Sequence, residues 1–256
     1  MTSVGDDAAV ARALANAAGD ELLRIREDAA LAGRELKAAG DAGAQRVLAA
    51  RLAELRPDDA VLSEEAADSP ARLAADRVWI VDPLDGTREY SERPRTDWAV
   101  HVALWVRGEL VAGAVALPAR GVTYGTDEPP AVAPATGGPL RLAVSRSRPP
   151  EFVGTLVEAL GAELVPMGSA GVKCASVWTG EADAYVHAGG QYEWDSAAPV
   201  AVARAAGLHA SRVDGAPLEY NRPDPLLPDL VVCRPDLAER VLGVTRALAA
   251  VTPRRA

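Results

Sequence analysis

The stretch from Trp79 to Tyr90 reads WIVDPLDGTREY, and it places Asp82 and Asp85 directly behind a run of apolar residues that predicts a buried strand. Carboxylates in such a place destabilise a fold by several kcal/mol unless a cation or hydrogen-bond donors compensate their charge. The stretch is therefore either an acidic turn or a metal site, and the residues that follow it favour a metal site.

The turn after this strand has the composition of a magnesium site. Gly86 permits a tight reversal, so that Asp82 and Asp85 face the same side with the Leu84 carbonyl between them. Hard oxygen ligands of this kind suit Mg²⁺, which shares its shell with waters and a substrate phosphate. A helical turn beginning at Gly86 and Thr87 would add backbone N–H groups that attract phosphate. The sequence thus predicts a cation site beside an anion site.

Composition argues against several classes of function. The chain has 256 residues, 49% of them apolar, which is enough for one large domain or two closely packed ones. Its formal net charge of −9 argues against general binding to nucleic acid or anionic membranes, whereas an anionic small molecule can bind through cations. The two cysteines lack the spacing of a zinc site and favour a reducing cytoplasm. The N-terminus reads as neither a signal peptide nor a membrane span.

Helices and strands alternate along the chain, which predicts a layered α/β fold of the α+β type. A Pro-, Gly- and Ala-rich segment over 127–139 reads as a loop and divides the chain into residues 1–139, with most metal ligands, and 140–256, with Asp195 and substrate contacts. The two halves are expected to pack as one globular unit. The predicted helices are Asp7–Glu27, Ala44–Leu55, Glu151–Leu160, Gly171–Trp178, Ser196–Ala206 and Pro235–Ala249; the predicted strands are Val78–Val81, Trp98–Val106, Leu110–Leu117, Gly121–Gly125, Leu140–Val144, Ala162–Pro166, Asp183–Val186 and Leu230–Cys233.

Further acidic motifs lie at predicted strand and helix ends, and their order resembles a known family. Asp41, the pair in VLSEE at Glu64–Glu65, DPLDGT at Asp82–Thr87 and WD at Trp194–Asp195 are similar to motifs of the Mg²⁺-dependent, lithium-sensitive phosphatases of the inositol monophosphatase superfamily. The match spans nearly the whole chain. DGTREY and HAGGQYEWDSAAP resemble the 3'(2'),5'-bisphosphate nucleotidases, especially the actinobacterial CysQ type, because inositol monophosphatases more usually continue DGTTNF.

The resemblance implies the family's alternating helix and sheet layers and two or three Mg²⁺ ions per active site. Glu64, Asp82 and the Leu84 carbonyl would hold the first ion. Asp82, Asp85 and Asp195 would hold the second, at which the leaving oxygen is stabilised in an in-line displacement. Among these residues, Asp85 and Asp195 would also contact the substrate.

The catalytic residues that the resemblance implies are Glu64, Thr87 and Asp41. Thr87 and Glu64 would orient and deprotonate the attacking water, and Asp41 would reach a third, weaker ion near Glu64 through water. Family members commonly carry a K-x-D-x-S-P-V-T-x-A-D type segment before this acid, whereas this chain reads RELKAAGDAGAQ, so the loop looks shortened and lacks its threonine. No histidine base is needed, so His101, His187 and His209 are expected to have structural roles. The alternative interpretation is that His187 lines the substrate pocket.

Two segments are expected to contact the substrate. In GSAGVK, Gly168 and Ser169 precede a helix where a sugar or phosphate can bind, and Lys173 would contact a second phosphate. Ser145 begins SRSRPP, a basic segment that resembles a family segment near the nucleotide. The alternatives are a surface lysine on a packed helix and a plain basic loop.

The leading hypothesis is a phosphatase that removes the 3'-phosphate of 3'-phosphoadenosine 5'-phosphate (PAP), giving AMP in sulfate assimilation, and that also acts on the sulfated analogue PAPS. One alternative is a broader phosphatase of inositol 1-phosphate and fructose 1,6-bisphosphate. Another is a non-catalytic sensor of nucleotide and metal. Glu64 and Thr87, which serve water activation, favour an enzyme over a sensor. A homodimer is an expectation from the family.

Overall fold

The computed structural model describes residues 4–135, 137–147, 149 and 152–251, and within them the helices and strands alternate as the sequence predicts. The α-helices are α1 (Val4–Glu27), α2 (Gly33–Leu55), α3 (Thr87–Ser91), α4 (Val153–Leu160), α5 (Ala170–Thr179), α6 (Glu193–Ala205) and α7 (Ala238–Val251). The strands are β1 (Ala60–Ser63), β2 (Arg77–Asp85), β3 (Ala99–Val106), β4 (Glu109–Leu117), β5 (Val122–Gly125), β6 (Leu140–Ser145), β7 (Ala162–Met167), β8 (Ala184–Tyr192), β9 (His209–Ser211) and β10 (Leu226–Cys233).

The strands form two five-stranded mixed sheets. The first has the order β1-β2-β3-β4-β5 and is antiparallel apart from the β1–β2 pair. The second has the order β7-β6-β8-β10-β9. Strand β6 is parallel to β7 and β8, and strand β10 is antiparallel to β8 and β9. The predicted boundary between residues 139 and 140 lies between β5 and β6. The division of the chain into two halves at this boundary stays a prediction.

Three buried clusters of apolar side chains hold five layers together, which confirms the predicted layered α/β fold. Helices α1 and α2 cover one face of the first sheet, and α5 and α6 fill the space between the two sheets. Helices α4 and α7 cover the outer face of the second sheet. Helices α5 and α6 begin near the end of β2, and the predicted metal ligands Asp82, Asp85 and Asp195 meet there.

Helix α2 begins eleven residues before the predicted start at Ala44, since it extends from Gly33. Gly40 and Gly43, within the segment that the family comparison treats as a shortened loop, are packing positions on the helix. A Cβ at Gly43 would lie 2.3 Å from Ile25 Cδ1, and one at Gly40 would lie 2.7 Å from Tyr90 Cε1. The glycines therefore allow close approach of neighbouring elements, and Asp41 lies within a helix rather than after a shortened loop.

Several other predicted boundaries are wrong by a few residues, and two short strands were not predicted. Strand β2 continues beyond Val81 to Asp85, since its pairing with β3 resumes after an irregularity between Asp82 and Asp85. The last helix is preceded by a 3-10 turn over Pro235–Leu237, and the predicted start of α4 at Glu151 lies outside the described residues. The unpredicted strands are β1 and β9. In the described part of the chain, every helix is too short or too polar to cross a membrane.

Candidate active site

Three aspartates from two elements converge at the end of β2. Asp82 and Asp85 flank the irregularity in that strand, and Asp195 lies in the first turn of α6, where its Oδ2 accepts a 2.7 Å hydrogen bond from the Tyr192 backbone N–H. One carboxylate oxygen from each of the three lies within 4.8 Å of the others. The family resemblance implied that these three aspartates share one cation, and the structure brings their side chains together.

The backbone around Leu84 is fixed by short-range hydrogen bonds. The Leu84 N–H donates to Asp82 Oδ1 over 3.0 Å, and the Thr87 hydroxyl donates to the Leu84 carbonyl over 3.2 Å. Gly86 adopts the left-handed conformation with φ of 86°, as the predicted turn requires. The Thr87 oxygen therefore keeps its lone pairs for an incoming donor such as water.

The start of α5 holds Asp85 in place. Its Oδ2 accepts hydrogen bonds from the Ser169 hydroxyl at 2.5 Å and from the Gly171 backbone N–H at 2.8 Å. Ser169 also caps α5, since its Oγ accepts from the Val172 N–H at 3.0 Å. One of the predicted contact positions, Ser169, thus orients a predicted ligand, together with the backbone N–H of Gly171, which the sequence did not single out.

These groups line one cavity of about 370 Å³, which contains every predicted site residue except Asp41. The predicted residues in its lining are Glu64, Asp82, Leu84, Asp85, Gly86, Thr87, Ser145, Gly168, Ser169, Lys173 and Asp195. His187 lines it as well. The lining residues that the sequence did not single out are Arg88, Glu89, Ser147, Ala170, Tyr185, Gly189, Gly190 and Gln191.

Asp41 and Lys173 have surroundings that differ from the predicted ones. Asp41 lies on α2, outside the cavity lining, and burial together with the Glu65 charge raises its pKa to about 6. Lys173 is 6% exposed, and its Nζ donates to the Ser169 carbonyl over 2.6 Å. Burial lowers the pKa of Lys173. Lys173 is therefore a buried cavity residue rather than a surface lysine, and its hydrogen bonds to the described residues use one of its three donor positions.

His101 is a site residue that the sequence analysis missed. Its side chain is fully buried on β3, opposite Asp82 in the β2–β3 register, with Nε2 3.3 Å from Asp85 Oδ2. The VHV alternation around it looks like an ordinary strand, so only the pairing of β3 with β2 reveals the contact.

Mutual repulsion and burial shift the pKa values of the acids apart. Burial, and then the charges of Glu64 and Asp85, raise the pKa of Asp82 well above its usual value. Burial and Asp85 raise the pKa of Asp195 to about 6. Asp85 differs, since burial is outweighed by His101 and other partners that hold its pKa at about 2. Desolvation by the surrounding protein, and then the Asp195 charge, raise the pKa of Glu64 to about 7. The Glu64 side chain is exposed to the open cleft, where solvent screens these charges.

The residues present fit a divalent cation. The cluster supplies only oxygen donors, which are the ligands that Mg²⁺ prefers, and its closely spaced carboxylates lack a neighbouring arginine to neutralise Asp82 among the described residues. Burial and mutual repulsion raise the pKa values of Asp82 and Asp195, and a cation held between the carboxylates would relieve that repulsion. The donor set and its electrostatics therefore agree with the predicted metal centre.

Comparisons with known proteins agree with this geometry. The model of the inositol monophosphatase family matches residues 6–249. The chain belongs to the inositol monophosphatase family. Over 253 residues, 94% of this chain and 93% of the relative, it is 54% identical to a 3'-phosphoadenosine 5'-phosphate phosphatase from Mycobacterium leprae. It is 55% identical over 213 residues, 80% of each chain, to the protein of the same name from Mycobacterium tuberculosis.

A solved structure of another family member has the same fold. CysQ from Bacteroides thetaiotaomicron, described as a bacterial member of the inositol monophosphatase family, is 29% identical, with a TM-score of 0.77. The match covers 89% of this chain and 97% of that one. The similarity therefore extends through both sheets, and it confirms the family resemblance seen in the sequence motifs.

The raised pKa values predict how the stability of this family member depends on pH. A carboxyl whose pKa is higher when folded contributes stability that is present below its unfolded pKa and is lost as the pH rises through its folded pKa. For Glu64 and Asp195 that window runs from about pH 4 to about pH 7. In EDTA we expect the wild-type melting temperature to fall across this window more steeply than that of Asp82→Asn, which lacks one repelling charge. Equal slopes would contradict the electrostatic account.

Proposed function

We propose that this chain is a Mg²⁺-dependent phosphatase that converts 3'-phosphoadenosine 5'-phosphate to AMP and inorganic phosphate. The observation that carries the proposal is the convergence of Asp82, Asp85 and Asp195 in one cavity of a chain 54% identical to a protein named for this activity. Hydrolysis of the sulfated analogue PAPS is part of the proposal, because its sulfate is attached to the 5'-phosphate and leaves the 3'-phosphate unchanged. This places the reaction in sulfur metabolism.

The proposal assigns the metal-binding roles to residues of the acidic cluster. Asp82, Asp85 and Asp195 would hold Mg²⁺ with Glu64 and the Leu84 carbonyl, in two or three sites. When bound, the metal supplies a nucleophilic water at neutral pH and stabilises negative charge on the transferred phosphoryl group. The hydrogen bonds from Ser169, Gly171 and Tyr192 keep the carboxylates in position without further rearrangement.

Thr87 and Glu64 would orient and deprotonate the attacking water. The Thr87 hydroxyl donates its own proton to the Leu84 carbonyl, so its oxygen can accept a hydrogen bond from water and orient it. Glu64 faces the same cavity, and its surroundings raise its pKa to about 7, which suits a group that accepts a proton near neutral pH. The two side chains thus divide the positioning and the deprotonation of the nucleophile between them.

The cationic side of the cavity supports a ligand with two phosphates. Lys173 and Arg88 both line it, together with the polar groups of Ser145, Gly168 and Ser169 that the sequence assigned to substrate contact. Lys173, which is buried and close enough to Asp85 to lower the pKa of that carboxyl, offers the cavity a cationic group in addition to any bound metal. This arrangement favours a bisphosphorylated nucleotide over inositol 1-phosphate, which has a single phosphate.

The cellular setting is also part of the proposal. A cytoplasmic location is supported by Cys174 and Cys233, which are buried and free. The expected homodimer stays a prediction.

The identity of the product tests the proposed function. Incubation of PAP with the protein and Mg²⁺, followed by chromatography against standards of 5'-AMP and 3'-AMP, should give 5'-AMP as the nucleotide product. Accumulation of 3'-AMP, or intact PAP after prolonged incubation, would contradict the proposal.

A further inference from the structure

His101 has an unusual position for a residue outside the acidic cluster. The side chain is 0% exposed, and Nδ1 lies 3.1 Å from the Trp194 carbonyl oxygen, within hydrogen-bonding distance. Nε2 is buried without a well-aligned hydrogen bond among the described residues, although it lies 3.3 Å from Asp85 Oδ2. A buried polar atom left unpaired destabilises a fold, so its presence calls for a functional reason.

The imidazole touches every element that carries an aspartate of the cluster. Asp82 Oδ2 lies 3.9 Å from Nδ1, and Trp194 immediately precedes Asp195 on α6. Helix α5 closes the remaining side, since a Cβ at Gly171 would lie 2.1 Å from Nε2. The ring is therefore wedged between the end of β2 and the starts of α5 and α6.

We propose that His101 is a positioning residue that sets the orientation of the Asp85 carboxylate for cation binding. Nε2 lies 3.3 Å from the same oxygen, Oδ2, that Ser169 and Gly171 already hold, and no hydrogen bond from the described residues reaches Oδ1. Oδ1 is thereby left for the cation. Through Nδ1–H the ring also holds the Trp194 carbonyl, and with it the start of α6; the two contacts together require the imidazolium form, in which each ring nitrogen donates. This inference rests on the proposed metal-dependent function.

Electrostatics agree with this role. His101 is the strongest of the groups that lower the pKa of Asp85, and it outweighs burial together with Lys173 and Ser169. Partners that orient a ligating side chain typically change metal affinity by about 10- to 100-fold when they are removed. An effect of that size is expected here in cation binding, before any substrate is added.

The experiment compares three substitutions at one position. Gln places an amide nitrogen near the position of Nε2, towards Asp85, whereas Asn places one near the position of Nδ1, towards Trp194; Ala removes both. We would measure Mn²⁺ affinity by electron paramagnetic resonance, and the Mg²⁺ concentration that gives half the maximal rise in melting temperature, both without substrate. His209→Ala, on the distant strand β9, is the histidine control, and melting in EDTA shows whether each variant is folded.

We expect His101→Ala to weaken Mn²⁺ and Mg²⁺ binding about 10-fold or more, His101→Gln to restore binding to within about threefold of the wild type, and His101→Asn to remain weak. Wild-type affinity in His101→Ala, failure of Gln to restore binding, or equal restoration by Asn would overturn the proposal. Because cation binding is measured without nucleotide, a wrong substrate assignment would leave this result unaffected.

Discussion

Replacing Asp82 with alanine is expected to lower Mg²⁺-dependent hydrolysis of PAP by about 10³-fold or more, since it removes a carboxylate assigned to both metal positions and a metal supplies several kcal/mol of transition-state stabilisation. The fold should persist, because the lost carboxylate is one of several that repel one another. Asp85→Ala is expected to have the same effect. Initial rates at saturating Mg²⁺, together with melting temperatures in EDTA, measure both parts of this prediction.

Two variants control for packing and for charge. Asp82→Asn keeps an acceptor for the Leu84 N–H, so it separates loss of the ligand charge from loss of the 3.0 Å hydrogen bond that orders the turn. Asp76→Ala removes an exposed aspartate near the start of β2 and should leave the rate within about twofold, as surface substitutions generally do. Wild-type rates in Asp82→Ala would show that the cluster is not the metal centre.

The second large effect is expected for Glu64→Gln. Glutamine keeps an oxygen that can bind a cation but cannot accept a proton from water, and general base catalysis contributes about 10²- to 10⁴-fold to a rate. We therefore expect kcat to fall by that factor when Mg²⁺ is saturating, with a smaller change in KM. Steady-state kinetics over a Mg²⁺ series separates the loss of the base from weaker cation binding.

Glu65 offers the matched control for this substitution. It is the neighbouring glutamate, it is exposed, and it lies outside the cavity lining. Glu65→Gln should keep kcat within about twofold. If both variants lose activity equally, or if Glu64→Gln retains more than about a tenth of the wild-type kcat, then Glu64 does not deprotonate the water.

The sequence predicts those parts of the site that depend on local chain geometry. DPLDGT specifies a strand, a left-handed glycine turn and a short helix within a few residues, and the structure has β2, Gly86 with φ of 86° and α3 in that order. Asp195 was likewise recognisable at a helix start. In such cases neighbouring residues determine both the element and the direction of the side chain.

The features that the sequence did not reveal depend on contacts between distant segments. His101 meets Asp85 only because β3 pairs with β2 in a particular register, and nothing within three residues of His101 signals this. The early start of α2 is accompanied by close packing of Gly40 on Tyr90 and of Gly43 on Ile25, which the absence of a side chain at these glycines allows. Local propensity alone favours a break there, and tertiary packing overrides it.

The most direct test of the account is phosphate release from PAP, inositol 1-phosphate and fructose 1,6-bisphosphate, each measured with Mg²⁺ and with EDTA. The account predicts release that depends on Mg²⁺, with the highest kcat/KM for PAP. A higher kcat/KM for inositol 1-phosphate or fructose 1,6-bisphosphate, or equal release in EDTA, would contradict it.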